Sequence, residues 1–330
     1  MKVGIHLGGS RGGHEVRGIG VHTSELVKAI NKVKDSSIQV SEFDPKEKYD
    51  LIHYTFFKPF SFSVAFKKEA KKVVLTIHDL IPLIYPKHYP GGVRGNIIFF
   101  IQKLLIKKNI DAVITISETS KKDICRFLNV DPLKIHVIYL APKAVFKKVT
   151  DNELLNSIKE KYNLPDKFAL YVGDVNYNKN IPNLIKACEI AKIKLVMVGK
   201  QAKEIEKGDL NHPELIHLKN VDFSKVMRLG FVPDEELAAI YNLATVSVQP
   251  SLYEGFGLPI LEALSCGCQV VASKIQTHIE IADGLVTFVD PVNTEDIARG
   301  ILSHRKADIL SNKYSWEKTA KETLEAYKHV

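Results

Sequence analysis

The stretch Thr245-Val-Ser-Val-Gln-Pro250-Ser-Leu-Tyr-Glu254-Gly-Phe-Gly-Leu-Pro259-Ile-Leu-Glu262-Ala-Leu-Ser-Cys-Gly267 decides how this chain folds. A β-branched run ends at Pro250, and a loop with two glycines follows. Pro259 stands where a first helical turn begins, the position at which a missing N–H is harmless. A second β-branched run, 269–272, comes next. Strand, loop, helix and strand in that order describe a parallel βαβ unit.

The same alternation continues in both directions. Strands are expected at 2–7, 51–54, 73–77, 112–116 and 136–139, then at 168–172, 194–198, 226–229, 245–250, 269–272 and 287–289. Helical spacing falls at 21–33, 63–71, 94–108 and 118–128, with capping residues at 117–120, and then at 183–191, 234–242, 259–265, 295–303 and 315–327. Two doubly wound α/β layers follow, with parallel sheets. The charged and breaker-rich stretch 142–165 is expected to hold the border, giving domains of 1–150 and 151–312 and a closing helix in 313–330. Facing each other, two such domains would put the carboxyl ends of both sheets on one cleft.

Composition narrows the class. The 330 residues are 45% hydrophobic and 25% charged, which suits a soluble chain with a full core. The longest apolar run, 97–101, is far too short to span a bilayer. Met1-Lys-Val-Gly-Ile5 reads as an opening strand rather than a signal peptide. Cys125, Cys188, Cys266 and Cys268 form no disulfide framework, and Cys266-Gly-Cys268 lacks the second ligand pair of a zinc site. A reduced cytoplasmic setting is expected. The net charge of +8 is unevenly spread, at +12 over residues 1–150 and −4 over 151–330.

In the opening stretch, Gly255 and Gly257 let the backbone approach a ligand that a Cβ would obstruct. The amides that begin the short helix can bind an anion. Glu254 stands in the mouth of that site, and Glu262, in the helix, can accept hydrogen bonds from hydroxyls. A bare pair of glutamates at this spacing is ordinarily two surface carboxylates. An anion at the amides with hydroxyls at both carboxylates describes a nucleotide sugar. In Tyr171-Val-Gly173-Asp-Val-Asn-Tyr-Asn-Lys179 a strand runs into a close turn, and Lys179 can set a point charge on a phosphate.

These segments resemble the E-x7-E signature and the strand–glycine–lysine element of the retaining glycosyltransferases of family 4, which have the GT-B fold of two Rossmann-like domains. The resemblance implies that Glu254 contacts the donor sugar, Glu262 the ribose and Lys179 the leaving diphosphate, with Gly173, Gly255, Phe256, Gly257 and Leu258 around them. Leu229-Gly-Phe231-Val232-Pro resembles the loop that reads the base. His78, in Thr76-Ile-His-Asp79-Leu, resembles a histidine that reaches the donor sugar, with Asp79 orienting its ring or positioning the acceptor. Gly18-Ile-Gly20 matches a glycine loop near the diphosphate and acceptor, to which Arg11, His14 and Arg17 add polarity. The closing helix is implied to cross back onto the first domain.

Two features depart from the family pattern. Asp174 stands where relatives often carry a basic residue, so Lys200, beside Gly199, or Arg228 is expected to substitute. Ala141-Pro142-Lys143 replaces a common glycine and aspartate.

The chain has no Asp-x-Asp, so no metal cofactor is expected; Lys179, the helix amides and Arg17 would carry the leaving group. The His-Asp-Leu-Ile-Pro stretch resembles mannosyl- and rhamnosyl-transferring relatives and implies GDP-mannose. The alternatives are a UDP-sugar such as UDP-glucose or UDP-GlcNAc, or a non-catalytic nucleotide-sugar-binding protein. The expected partners are a nucleotide sugar and a glycan or lipid-linked acceptor, without nucleic acid. In 94–108, Phe99, Lys103 and Lys107 share one face, and Ile97, Phe100, Ile101, Leu104 and Leu105 another. This is either a core helix with a solvated lysine edge or, together with the aromatics at 56–62, a contact with the inner face of an anionic membrane.

Overall fold

The structure, a computed structural model, describes residues 1–7, 18–33, 35–303 and 313–330. The first elements are β1 (Lys2–His6), α1 (Gly18–Val33), β2 (Gln39–Glu42), β3 (Leu51–Tyr54), β4 (Lys72–Thr76), α2 (Ile81–Ile84), α3 (Gly92–Asn109), β5 (Ala112–Thr115), α4 (Glu118–Leu128) and β6 (Ile135–Val137). They continue as α5 (Asn152–Lys161), β7 (Phe168–Val172), α6 (Ile181–Ile190), β8 (Lys194–Val198), α7 (Lys200–Lys203), β9 (Met227–Gly230) and α8 (Asp234–Leu243). The last are β10 (Val246–Gln249), α9 (Leu258–Ser265), β11 (Val270–Ser273), α10 (Gln276–Ala282), β12 (Thr287–Val289), α11 (Thr294–Leu302) and α12 (Trp316–Lys328).

The β-branched runs are buried on both faces, as strands of a helix-covered parallel sheet must be. In β4, Val73 and Leu75 point into one core and Val74 into the other; in β3, Ile52 and Leu51 divide the same way. Two six-stranded sheets result, ordered β2-β1-β3-β4-β5-β6 and β12-β11-β10-β7-β8-β9, and every pairing is parallel. In the second sheet β7 is central, and the order reverses between β7 and β10. That is the topological switch point at which α/β sheets bind ligands.

The chain divides into two units, Met1–Ala141 with Tyr314–Val330 and Pro142–Lys313. The division falls at the first residue of the charged stretch 142–165, ahead of the expected boundary at 150, because that stretch contains a helix of the second unit. Asp151 caps α5, accepting from Glu153 N and Leu154 N at 3.0 Å each. α12 belongs to the first unit: Ala320, Leu324 and Tyr327 share a core with Val3, Ile5 and Leu26. Thr319 Oγ1 donates to Tyr139 O at 2.7 Å, which fixes the start of that helix.

Two expectations fail for physical reasons. Residues 63–71 form no helix; side chains of α3 take up backbone groups at the start of that stretch and in the residues before it. Ser63 N donates to Gln102 Oε1 at 2.8 Å, Gln102 Nε2 donates to Lys58 O and Pro59 O at 2.9 Å, and Asn109 Nδ2 donates to Ala65 O at 2.8 Å. α3 also faces the other way from one expected arrangement. Its buried side holds Gly95, Gln102, Leu105, Ile106 and Asn109, and Phe99 packs toward the core beside Phe60. Ile97, Phe100 and Leu104, read as a covered face, are exposed. The edge strand β2 escaped the sequence pattern because it is half-exposed and polar.

Leu324 is 3% exposed where α12 meets α1. Leu324→Ala is expected to destabilise the first unit by about 2–4 kcal/mol, and the exposed Lys321→Ala by far less. Urea unfolding followed by the single tryptophan, Trp316 in the first unit, measures both. Equal midpoints would contradict the docking of α12.

Candidate active site

At the switch point the loops after β7 and β10 emerge side by side. Asn180 adopts a left-handed conformation (φ 59°) between a 3-10 turn at Tyr177–Lys179 and α6, which sets Lys179 at the bend. Lys179 Nζ donates to Glu254 Oε1 at 2.6 Å, and Ser251 Oγ donates to the same oxygen at 2.6 Å. Among the described residues, Oε2 of Glu254 takes no partner.

The backbone here is clamped. Leu252 N donates to Asn178 O at 2.7 Å, and Asn178 Nδ2 returns a bond to Tyr253 O at 3.0 Å. Asn180 Nδ2 reaches Pro250 O at 2.9 Å and Pro291 O at 2.7 Å, and Thr277 Oγ1 donates to Glu254 O at 2.8 Å.

The Lys179 and Glu254 side chains are only 22% and 12% exposed. Burial alone would push the Glu254 carboxyl up; the Lys179 ammonium and the two hydrogen bonds outweigh it and hold the pKa below its ordinary value. Glu262 lies in α9 and forms no ion pair among the described residues. Burial pushes its pKa up to about 7, against the pull of a hydrogen bond from Tyr241 at 3.2 Å. The two carboxyls therefore differ in charge state near neutrality.

Glycines shape the floor. Gly199 has φ +155°, and a Cβ there would lie 2.3 Å from Gly173 O. Gly257, at φ +121°, leads into α9; Pro259 has no N–H and Ile260 N donates to Gly257 O at 3.0 Å, which leaves Leu258 N at the start of the helix. Leu258 opens that helix, with Pro259 in its first turn, while Gly255 and Phe256 are buried beneath. Beside this loop, His278 is fully buried; its Nδ1 donates to Ser273 O at 3.1 Å, so Nε2 is an acceptor, and that atom has no partner among the described residues. Burial pushes its pKa down to about 4.

Arg228, one of the two residues expected to stand in for the missing basic residue, is itself paired. Its guanidinium pairs with Glu206 at 2.5 Å and lies over Phe223. Lys200 is exposed at the start of α7, and the backbone carbonyl of Asp174 accepts from Tyr171 OH at 2.5 Å. Phe231 is 60% exposed and its neighbour Val232 is buried. Lys143, at the departure from the family pattern, pairs with Asp234 at 2.6 Å.

In the first unit, His78 follows β4 and is buried. Its Nε2 meets His22 Nδ1 at 2.7 Å, while Nδ1 has no partner among the described residues. His22, from the helix that begins at Gly18 and includes Gly20, therefore orients the ring, not Asp79. Asp79 Oδ1 instead accepts from Ile81 N at 3.1 Å, opening α2. Deeper in the core, His53 bridges Tyr327 OH and Thr76 Oγ1, both at 2.7 Å. Arg17, with Arg11 and His14, lies outside the described residues.

The structure thus brings Lys179, Glu254, Gly257 and the start of α9 together in the second unit. Sequence reasoning missed Asn178, Asn180, Ser251, Thr277, His278 and His22. Asn178 and Asn180 flank Lys179, a usable local signal. The His22–His78 contact spans 56 residues and leaves none.

The model of the family "Glycosyl transferases group 1" matches residues 155–323, and that of "Glycosyltransferase Family 4" matches 37–141. The chain belongs to the group 1 glycosyltransferases. Among curated relatives, it is 31% identical over 274 residues to the serotype-specific mannosyltransferase WbdA of Escherichia coli, covering 78% of this chain and 33% of WbdA. It is 29% identical over 287 residues to O-antigen chain mannosyltransferase B of Escherichia coli, covering 78% and 70%. The chain thus spans about a third of the length of WbdA. Anabaena HepE, solved with UDP and glucose, superposes with a TM-score of 0.64 at 16% identity, covering 99% of this chain and 95% of HepE. Sucrose-phosphate synthase from Thermosynechococcus elongatus gives 0.63 at 19%, covering 100% and 94%. The fold is the two-domain α/β GT-B architecture.

Burial holds His78 down to about 4, His53 down to about 3 and His22 well below its ordinary value. The unfolded chain binds protons on these rings from about pH 6.5 downward and the folded chain does not. Stability should therefore be complete above about pH 6.5 and fall toward pH 4, His78 alone accounting for about 3 kcal/mol by then. Urea unfolding at stepped pH checks this: His78→Gln should flatten the slope, and an unchanged slope would contradict the buried neutral ring.

Proposed function

We propose that this chain transfers mannose from GDP-mannose to a glycan or lipid-linked acceptor, with retention at the anomeric carbon and without a metal ion. The observation that carries this reading is the Lys179–Glu254 pair at 2.6 Å, set at the switch point of the second sheet. Breaking a glycosyl–diphosphate bond leaves negative charge on the diphosphate and positive charge at the anomeric carbon. Lys179 and Leu258 N, at the start of α9, stabilise the first, aided by the helix dipole. Glu254 Oε2 accepts a hydroxyl of the sugar and so positions it. Its Oε1, engaged twice at 2.6 Å, favours orientation over nucleophilic attack.

In this reading the acceptor hydroxyl enters on the face from which the diphosphate leaves and gives its proton to it. Glu262 binds the ribose hydroxyls. Gly173 and Gly199 let the backbone approach the phosphates, and Phe231 with the backbone at Val232 meets the base. His78 reaches the donor sugar, Asp79 the acceptor, and Arg17, Gly18 and Gly20 the diphosphate. The mannosyltransferase names of WbdA and O-antigen chain mannosyltransferase B support mannose as the sugar. The basic first half, at +12, suits an acceptor borne on an anionic membrane.

A donor screen with GDP-mannose, UDP-glucose and UDP-GlcNAc tests the reading. Turnover should be greatest with GDP-mannose and unaffected by EDTA. Glu254→Gln and Lys179→Met should each lower kcat by roughly 10²–10³. An inverted product linkage by NMR would refute retention, and donor binding without turnover in the wild type would refute catalysis.

A further inference from the structure

Two consecutive residues of α10 hold the loop that carries Glu254. Thr277 Oγ1 donates to Glu254 O at 2.8 Å. His278, fully buried, stands against Gly257: a Cβ there would lie 3.4 Å from His278 Cδ2 and 2.9 Å from Ile281 Cδ1. The turn at φ +121° therefore rests on the ring edge, beside Nε2. The other side of the ring is tethered. Nδ1 donates to Ser273 O at 3.1 Å, which joins the first turn of α10 to the last residue of β11. The loop is thus gripped at the Glu254 carbonyl and again at the turn into α9.

One ring atom is left over. Nε2 is buried and takes no partner among the described residues. An unpaired buried acceptor costs a structure roughly 1–3 kcal/mol, so a purely structural core position favours an aliphatic side chain. The retained nitrogen has a consequence at Glu254. Burial keeps the ring neutral; the Glu254 carboxylate pulls toward protonation and the Lys179 ammonium opposes it, so both members of the pair act on the ring. A neutral Nε2 has a lone pair and no hydrogen, and cannot donate to a carboxylate. Glu254 Oε2 is therefore left to a ligand, whereas a donor at that atom would compete for it.

We propose that His278 is a positioning residue for Glu254: its neutral ring, protonated on Nδ1, braces the Gly257 turn and leaves the open carboxylate oxygen to the ligand. This deepens the donor reading and rests on it, since the ligand of Oε2 is there a sugar hydroxyl.

Kinetics of the full chain, with the donor that gives turnover in the screen, separate positioning from a merely structural role. His278→Asn keeps a side-chain N–H for Ser273 O and removes the distal edge of the ring. It should lower kcat roughly tenfold. In the Glu254→Gln background the same substitution should cost less than about twofold, because the group it positions is already disabled. Equal losses in both backgrounds, or no loss in the wild type, would overturn the proposal and leave the donor reading standing.

NMR of the chain carrying ¹⁵N-labelled histidine needs no turnover, so it still decides if the donor reading fails. The His278 signals, assigned by their loss in His278→Asn, should show a protonated Nδ1 and a bare Nε2 near neutrality. On acidification the ring should take up its proton at lower pH in Glu254→Gln than in the wild type, because the attraction of the carboxylate is gone. A ring protonated on Nε2, or a titration indifferent to Glu254, would overturn the proposal.

Discussion

Parallel pairing sends the carboxyl end of every strand to the same edge of its sheet, and the rest of the molecule is arranged around that constraint. In the second unit it makes neighbours of the loops after β7 and β10, whose key residues lie 75 positions apart. One hydrogen bond at 2.6 Å between Lys179 and Glu254 then closes the gap. Asn178 and Asn180 keep it closed by bonding backbone carbonyls of the opposite loop. Asn180 also holds Pro291 O, so one amide joins three loops. The glycines belong to the same logic: where Gly173 and Gly199 cross, no β-carbon fits.

The two units bury different sets of titratable groups. The first buries His22 and His78 as neutral rings bonded to each other, and His53 as a neutral ring bonded to a tyrosine and a threonine. The second buries an ion pair and, within the same stretch of sequence, a carboxyl raised to about 7. The first unit thus suppresses charge on its buried histidines, while the second both pairs it, at Lys179 and Glu254, and suppresses it, at Glu262 and His278. The net charges of the two halves give no hint of this, because they are set by the exposed surface.

Much of this was legible in the sequence. The strand–loop–helix pattern around Glu254 placed α9 within a residue of its observed start, and most central strands were bounded as closely. These segments announce themselves because burial on both faces demands continuous β-branched runs. Elements whose stability comes from elsewhere were not visible. Residues 63–71 carry a helical pattern, yet the helix does not form, and side-chain amides of α3 hold Ser63 N and Ala65 O instead. α5 was hidden because its capping residues, Asp151 and Glu153, look like the charges of a linker. α3 has apolar residues on opposite sides, and only the sheet decides which side is covered. The pairing of Arg228 with Glu206 left no local pattern either. At the site, residue types named Lys179 and Glu254, but the partners that hold them, Ser251, Thr277 and the two asparagines, act through contacts that no local pattern records.

An ammonium already bonded to a carboxylate is not an open trap for anions. Any phosphate arriving at Lys179 exchanges one charge-assisted bond for another and releases Glu254 into a largely buried setting. Its net gain is a difference between two similar terms, so a small anion that can offer Glu254 nothing in return is held weakly. A ligand that brings both a phosphate for the lysine and a hydroxyl for the carboxylate satisfies the two groups together. Selectivity for a two-part ligand over its fragments is in that sense built into the resting pair.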